Sequence, residues 1–219
     1  MNTPDRPLVV NLGLPKSGTT TLARALREAG WTVADYRIRR RDTEDKALHG
    51  RYVGGLMYHG YFEEGDPLAR LGGFNAFTEI NRLTTNFSYW PQTDWGLISA
   101  IRTRHPGTRF LASRRDAAAH AESMFRWADL GSTRLPRYTV PGLPRGFGLK
   151  AQERIRWIEA HHAFLAHVFS GAEDFLEYDI ADAGAPAKIG AFLGHELPWW
   201  GRANANPRSP AANPGEVSA

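Results

Sequence analysis

Cysteine is missing from all 219 residues, and its absence excludes disulfides, thiolate-held metals and a cysteine nucleophile. Long apolar runs are missing too, since no segment approaches the roughly 20 residues a membrane span needs. The first seven residues, Met1-Asn-Thr-Pro-Asp-Arg-Pro7, hold no apolar stretch of secretory type, so the expected setting is the cytoplasm. The eight histidines never form a His-Glu-x-x-His pair, so no catalytic metal is expected. There is no internal repeat, and the formal charge of +4 is mild. Arg37-Ile-Arg-Arg-Arg41 gathers positive charge, but no nucleic-acid module accompanies it. It is read as a solvated loop or a draw for an anionic ligand, and nucleic acid is not an expected partner.

What is present is the composition of one folded domain: 42% hydrophobic, 11% aromatic and 23% charged. The domain is expected over residues 1–203, with the Asn-, Pro- and Ala-rich stretch 204–219 as a frayed tail. Leu8-Val-Val-Asn-Leu12 is a short β-branched run closed by glycine and proline, which marks a buried strand. Leu22, Ala25, Leu26 and Ala29 then fall at helical spacing, and Gly30 stops the helix. A second strand is expected to begin at 32–34. Residues 35–92 give only a short helix near 56–63, with glycine pairs at 54–55 and 72–73.

Strand and helix return at 109–113 and 117–127, after a helix over 93–105. The prolines and glycines of 128–148 read as a long loop, a candidate substrate lid. Ile155, Ile158, His162, Leu165 and Phe169 then mark a long amphipathic helix, followed by a strand at 175–178 and a helix at 186–193. Strands alternating with helices predict an α/β fold of three layers, a mainly parallel central sheet flanked by helices, with ligands beyond the carboxyl ends of the strands.

The first such end carries Gly13-Leu-Pro-Lys-Ser-Gly-Thr-Thr20. Glycines five apart, after a strand and before a helix, let successive N–H groups converge on an anion at the positive end of the helix. Lys16 brings an ammonium, and Ser17, Thr19 and Thr20 bring hydroxyls. A nucleoside-triphosphatase loop would read Gly-Lys-Ser/Thr, whereas here Gly18 precedes Thr19 and the lysine has moved back into the loop.

Pro15-Lys16-Ser17-Gly18-Thr19-Thr20 matches letter for letter the 5′-phosphosulfate motif of the sulfotransferase superfamily, which the chain resembles in its bacterial branch. The resemblance implies a P-loop-type fold and a 3′-phosphoadenosine 5′-phosphosulfate donor, with no metal. It also implies a site for the 3′-phosphate on a strand-end arginine and a serine eight residues on. Arg115 and Ser123 have that spacing, with Arg114 one register away as a competitor, and Arg145 in Arg145-Gly-Phe-Gly148 is a distant third contact. Many eukaryotic members stack adenine on a tryptophan after the Thr-Thr pair, and this chain has Thr21 there. His161, Phe175–Ile180, Phe192-Leu-Gly194 and Asn204-Ala-Asn206 also resemble that branch.

The implied reaction is in-line sulfuryl transfer to a hydroxyl or amine of a small-molecule or carbohydrate acceptor. Lys16 neutralises the departing oxygen, and a base takes the acceptor's proton. Glu79, His59 and Asp94 compete for that base, and Glu79 is preferred because related sequences carry an acid after an Ala-Phe-Thr-like segment. The acceptor wall is expected from residues 52–92 and 128–148, and His161 and His162 as packed helix residues. The rival readings are a nucleotide kinase-like phosphotransferase and a silent nucleotide-binding protein.

Overall fold

The computed structural model describes residues 6–201 and 203, so the expected tail at 204–219, with Asn204 and Asn206, lies outside the described residues. Along the chain run β1 (Val9–Asn11), α1 (Thr19–Glu28), β2 (Val33–Ala34), α2 (Val53–Glu64), β3 (Ala76–Phe77), β4 (Arg82–Leu83) and β5 (Ser88–Tyr89). They are followed by α3 (Trp95–Arg104), β6 (Arg109–Arg114), α4 (Ala117–Phe125), α5 (Leu135–Arg137), α6 (Ala151–Val168), β7 (Phe175–Asp179) and α7 (Ala185–Leu193).

The central sheet has the order β2-β3-β1-β6-β7 and every pair in it is parallel, as expected; β4 and β5 form a separate hairpin. Alternation along the strands divides the core. Val10, Phe77, Phe110 and Ala112 face one side, where α2, α3 and α6 bring Met57, Leu97, Ile98 and Leu165. Val9, Ala76 and Leu111 face the other, where α1 and α7 bring Leu22, Leu26, Ile189 and Leu193. Leu22 and Leu26 are fully buried, each contributing about 1.5–3 kcal/mol on area bookkeeping. Three layers result. From β1 the chain crosses to the β2 edge, returns to β3, then passes beyond β1 to β6, so the loop after β1 lies where the winding reverses.

Two stretches depart from the expectation. Residues 35–92 hold β3, an interior strand of the sheet, but with only two residues in it there is no period to read. Gly54 there is no helix breaker: it lies inside α2, and a Cβ would strike the carbonyl oxygen of Ile80, so glycine is what lets the helix approach. Residues 128–148 are not a free loop. A π-helical turn (Leu130–Arg134) runs into α5, and Leu130, Leu135, Val140 and Leu143 bury against Trp90, Met124, Trp157 and Ile158. Four apolar residues among the prolines and glycines anchor the segment to α4 and α6. Among the described residues no helix is long and apolar enough to cross a membrane.

Candidate active site

Beyond the carboxyl ends of β1, β3 and β6 the surface opens into a cleft of about 1260 Å³. That exceeds the usual range for one small ligand, roughly 300–1,000 Å³, and has room for two reactants. Bracing the strand ends is Asn11, fully buried at the end of β1. The Asn11 amide nitrogen donates to Thr78 O at 2.8 Å, while its oxygen accepts from Ser113 N at 3.2 Å and Gly13 N at 3.4 Å. One side chain thus ties together the three strand ends that border the site.

The loop Gly13–Thr20 leaves the end of β1 under tight constraint. A Cβ on Gly13 would collide with the Ser113 hydroxyl, and Gly18 has φ 118° with Ile180 where a Cβ would sit. Gly18 is the N-cap of α1 and has no side chain to satisfy the first N–H groups of the helix, whereas Asp94 and Asp116 cap α3 and α4. Two buried histidines pin the loop and its approach: His161 Nε2 donates to Leu12 O, just before the loop, at 2.8 Å and His120 Nε2 to Pro15 O, within it, at 2.9 Å. Burial holds His120 neutral, its pKa down to about 3, and His161 likewise to about 4. The expectation of packed histidines holds for both 161 and 162, and His162 gives Nδ1 to Glu177 Oε2 at 2.7 Å.

Lys16 is itself left-handed, φ 71°, a conformation a non-glycine residue adopts only under constraint. Its ammonium lies 3.5 Å from the centroid of the Trp127 indole. Burial lowers its pKa, opposed by Glu79 and reinforced by Arg115. Facing it from the end of β3, half-buried Glu79 accepts from Thr19 Oγ1 at 3.0 Å. Burial first, then the charge of Asp35, pushes the Glu79 carboxyl up to about 7, while the Thr19 bond, Lys16 and Arg134 pull the other way. A carboxylate with that affinity can take or give a proton near neutrality.

A second cationic position lies at the end of β6. Half-buried Arg115 and, two turns along α4, Ser123 both line the cleft, and Arg115 has no ion pair among the described residues. Arg114 turns outward to Glu177 Oε1 at 2.8 Å, so of the two competitors Arg115 reaches the cleft. On the α1 side, Thr21 Oγ1 donates to Gly201 O at 3.1 Å and accepts from Ala203 N at 3.3 Å. Those bonds hold the segment that makes Trp200 part of the cleft wall.

Other expected residues are not brought to the cleft. His59 sits on the exposed face of α2 with Nδ1 on Glu63 Oε1 at 2.8 Å. Asp94 is occupied as the N-cap of α3 and accepts from Tyr58 Oη at 3.2 Å. Arg145 is exposed and outside the lining. The segments expected to build an acceptor wall supply Glu79, Asn81, Leu83, Leu130 and Arg134, while their aromatics Tyr58, Phe87 and Tyr89 pack on one another. Sequence reasoning missed Asp35, Tyr36, Trp127 and Arg134, which line the cleft from turns with no motif of their own. Arg39 and Arg41 of the basic run also line it.

No family model matches the chain, and no curated protein matches it. Among solved structures it is similar to the crystal structure of a sulfotransferase from Alicyclobacillus acidocaldarius, at 17% identity over 89% of this chain and 83% of that one, with a TM-score of 0.47.

Proposed function

We propose that the chain is a sulfotransferase that takes the sulfuryl group from 3′-phosphoadenosine 5′-phosphosulfate and passes it to a hydroxyl or amine acceptor. The observation that supports this best is one cleft holding an uncapped helix end with Lys16 inside its loop, an Arg115 without an ion pair among the described residues and Ser123 one strand away, and Glu79 facing Lys16. Two separated anion positions suit a nucleotide phosphorylated at both ends.

In this reading the loop N–H groups and Lys16 hold the 5′-phosphosulfate, and Arg115 with Ser123 hold the 3′-phosphate. The indole of Trp200 gives the base a stacking face on the side of α1 that the Thr21 bonds keep open. The acceptor oxygen attacks sulfur in line, forming the new S–O bond as the bond to the 5′-phosphate oxygen breaks. Lys16 neutralises the charge that gathers on that oxygen, and Glu79 accepts the acceptor's proton. The acceptor lies toward Tyr36, Asn81 and Arg134, which continue the wall beyond Glu79.

Incubation with ³⁵S-labelled donor and a panel of sugar, phenol and amine acceptors tests the reading, with Lys16→Ala and Glu79→Gln as controls. Labelled product with the wild type and not with either control supports it. Transfer of label from γ-³²P-ATP with magnesium, and none from the sulfur donor, would make the chain a phosphotransferase instead.

A further inference from the structure

Among the acids that line the cleft, Asp35 stands beside Glu79 and the proposed reaction has not used it. Asp35 directly follows β2 and Glu79 lies two residues beyond β3, at the carboxyl ends of neighbouring parallel strands in the register Val33↔Ala76 and Ala34↔Phe77. The turns beyond both strands are laced together, Thr78 N donating to Ala34 O at 3.2 Å and Tyr36 N to Glu79 O at 2.8 Å. Both side chains are half-buried and line the same wall.

What sets them apart is how they are satisfied. Lys16, Arg27, Arg39 and Arg134 line the same cleft, yet among the described residues neither acid makes an ion pair with any of them. The Lys16 ammonium rests on the Trp127 ring, Arg27 donates to Val33 O at 3.3 Å, and Arg134 is held by Asp129 Oδ1 at 2.8 Å and Leu83 O at 2.9 Å. Each acid instead accepts one threonine hydroxyl: Thr78 Oγ1 donates to Asp35 Oδ1 at 3.1 Å and Thr19 Oγ1 to Glu79 Oε2 at 3.0 Å. Two acids in one wall, neither held in an ion pair among the described residues, repel when both are ionised, and the protons come off as a property of the pair.

Resting on the sulfotransferase reading above, we propose that Asp35 and Glu79 form a coupled carboxyl pair, in which Asp35 is the positioning residue that keeps Glu79 basic enough to take the acceptor's proton. In the transfer step the acceptor O–H proton passes to Glu79 as the new O–S bond forms and the bisphosphate nucleotide leaves. Ionised Asp35 makes the resulting Glu79 carboxylic acid the favoured form. The groups facing Glu79 are Asp35, Lys16, Arg134 and the Tyr36 hydroxyl; those facing Asp35, besides Glu79, are Arg27, Arg39 and Asp42. Burial raises the proton affinity of both acids, and at Glu79 the charge of Asp35 adds to it.

The test is a ¹³C-NMR titration of the Glu79 carboxyl in the full chain, without nucleotide, its resonance assigned by loss in Glu79→Gln. Asp35→Asn keeps an acceptor for Thr78 and removes the charge, so the Glu79 midpoint falls by about one pH unit or more. Thr78→Val withdraws the bond that favours ionised Asp35, and it shifts Glu79 in the same direction by less. If the Glu79 midpoint is the same in the wild type and in both variants, the pair is overturned. The titration needs no donor, so it stands apart from the sulfotransferase reading, which fails separately if the wild type does not bind the bisphosphate nucleotide. With transfer established, the acid limb of kcat/KM against pH moves down with the midpoint in Asp35→Asn; a limb that stays put overturns the role of Asp35 in the reaction.

Discussion

The ammonium of Lys16 sits 3.5 Å from the centroid of the Trp127 ring rather than on the carboxylate of Glu79 across the cleft. A direct ion pair there would neutralise the acid and lower its proton affinity. The ring instead holds the cation by its quadrupole, worth about 0.5–2 kcal/mol depending on desolvation, and leaves the acid free. Both Lys16 and Ala128, next to Trp127, have positive φ, at 71° and 45°, so backbone constraint maintains the contact from both sides.

Replacing Trp127 by Leu therefore lets Lys16 relax toward Glu79. Transfer falls several-fold and its acid limb moves to lower pH, while Trp127→Phe keeps most of the rate. Steady-state kinetics across pH 5–9 on the three proteins checks this, and equal profiles for Leu and Phe contradict it.

Arg115 and Arg114 differ by one register and by their partners. Arg115→Ala is expected to weaken 3′-phosphoadenosine 5′-phosphate by about 10- to 100-fold, the worth of a charge-assisted bond, and to erase its advantage over ADP. Arg114→Ala leaves nucleotide affinity unchanged because its guanidinium is committed to Glu177. Titration calorimetry on both variants decides the matter.

Glu79→Gln is expected to lower kcat by about 10²- to 10⁴-fold with nucleotide affinity kept. With Glu79 as the proposed base, the wild-type rate is expected to fall as pH drops through about 7, where that carboxyl takes up its proton. Stability runs the opposite way at this residue. A carboxyl with a raised folded pKa binds more protons folded than unfolded, so its contribution is lost as pH rises from about 4.5 to about 7. Glu79→Gln accordingly melts higher than the wild type at pH 8, with the gap closing toward pH 4.

His161 has the reverse linkage. Its folded pKa of about 4 lies below the ordinary 6.5, so the unfolded chain takes up the proton first and stability is lost as pH falls below 6.5. At pH 5 the loss is about 2 kcal/mol relative to pH 8 from this group. His161→Gln, which can still donate to Leu12 O, shows a shallower loss in chemical denaturation between pH 8 and pH 5.

The loop side of the cleft was legible in the sequence because its residues are consecutive. Pro15 to Thr20 combine strand end, turn glycine, cation and helix start in six residues, and Arg115 with Ser123 lies on one strand–helix turn. Elements with clear periods, α1, β6 and α6, were read for the same reason. The other side was not legible because it is assembled across the fold. Asp35 and Glu79 come to one cleft only because β2 and β3 are neighbours, and β3 is two residues long. Trp127 reaches Lys16 through a left-handed Ala128 that leaves no trace in composition. His59 and Asp94 were candidates by residue type alone, and their neighbours Glu63 and the N–H groups of α3 claim them.

The two-anion cleft is the central claim, and titration calorimetry of the wild-type chain tests it most directly. The nucleotides are 3′-phosphoadenosine 5′-phosphate, ADP and magnesium-ATP. Tight binding of the 3′-phosphorylated nucleotide without metal, at least tenfold above ADP, is the expected result. Tight magnesium-dependent ATP binding with no preference for the 3′-phosphate would contradict it.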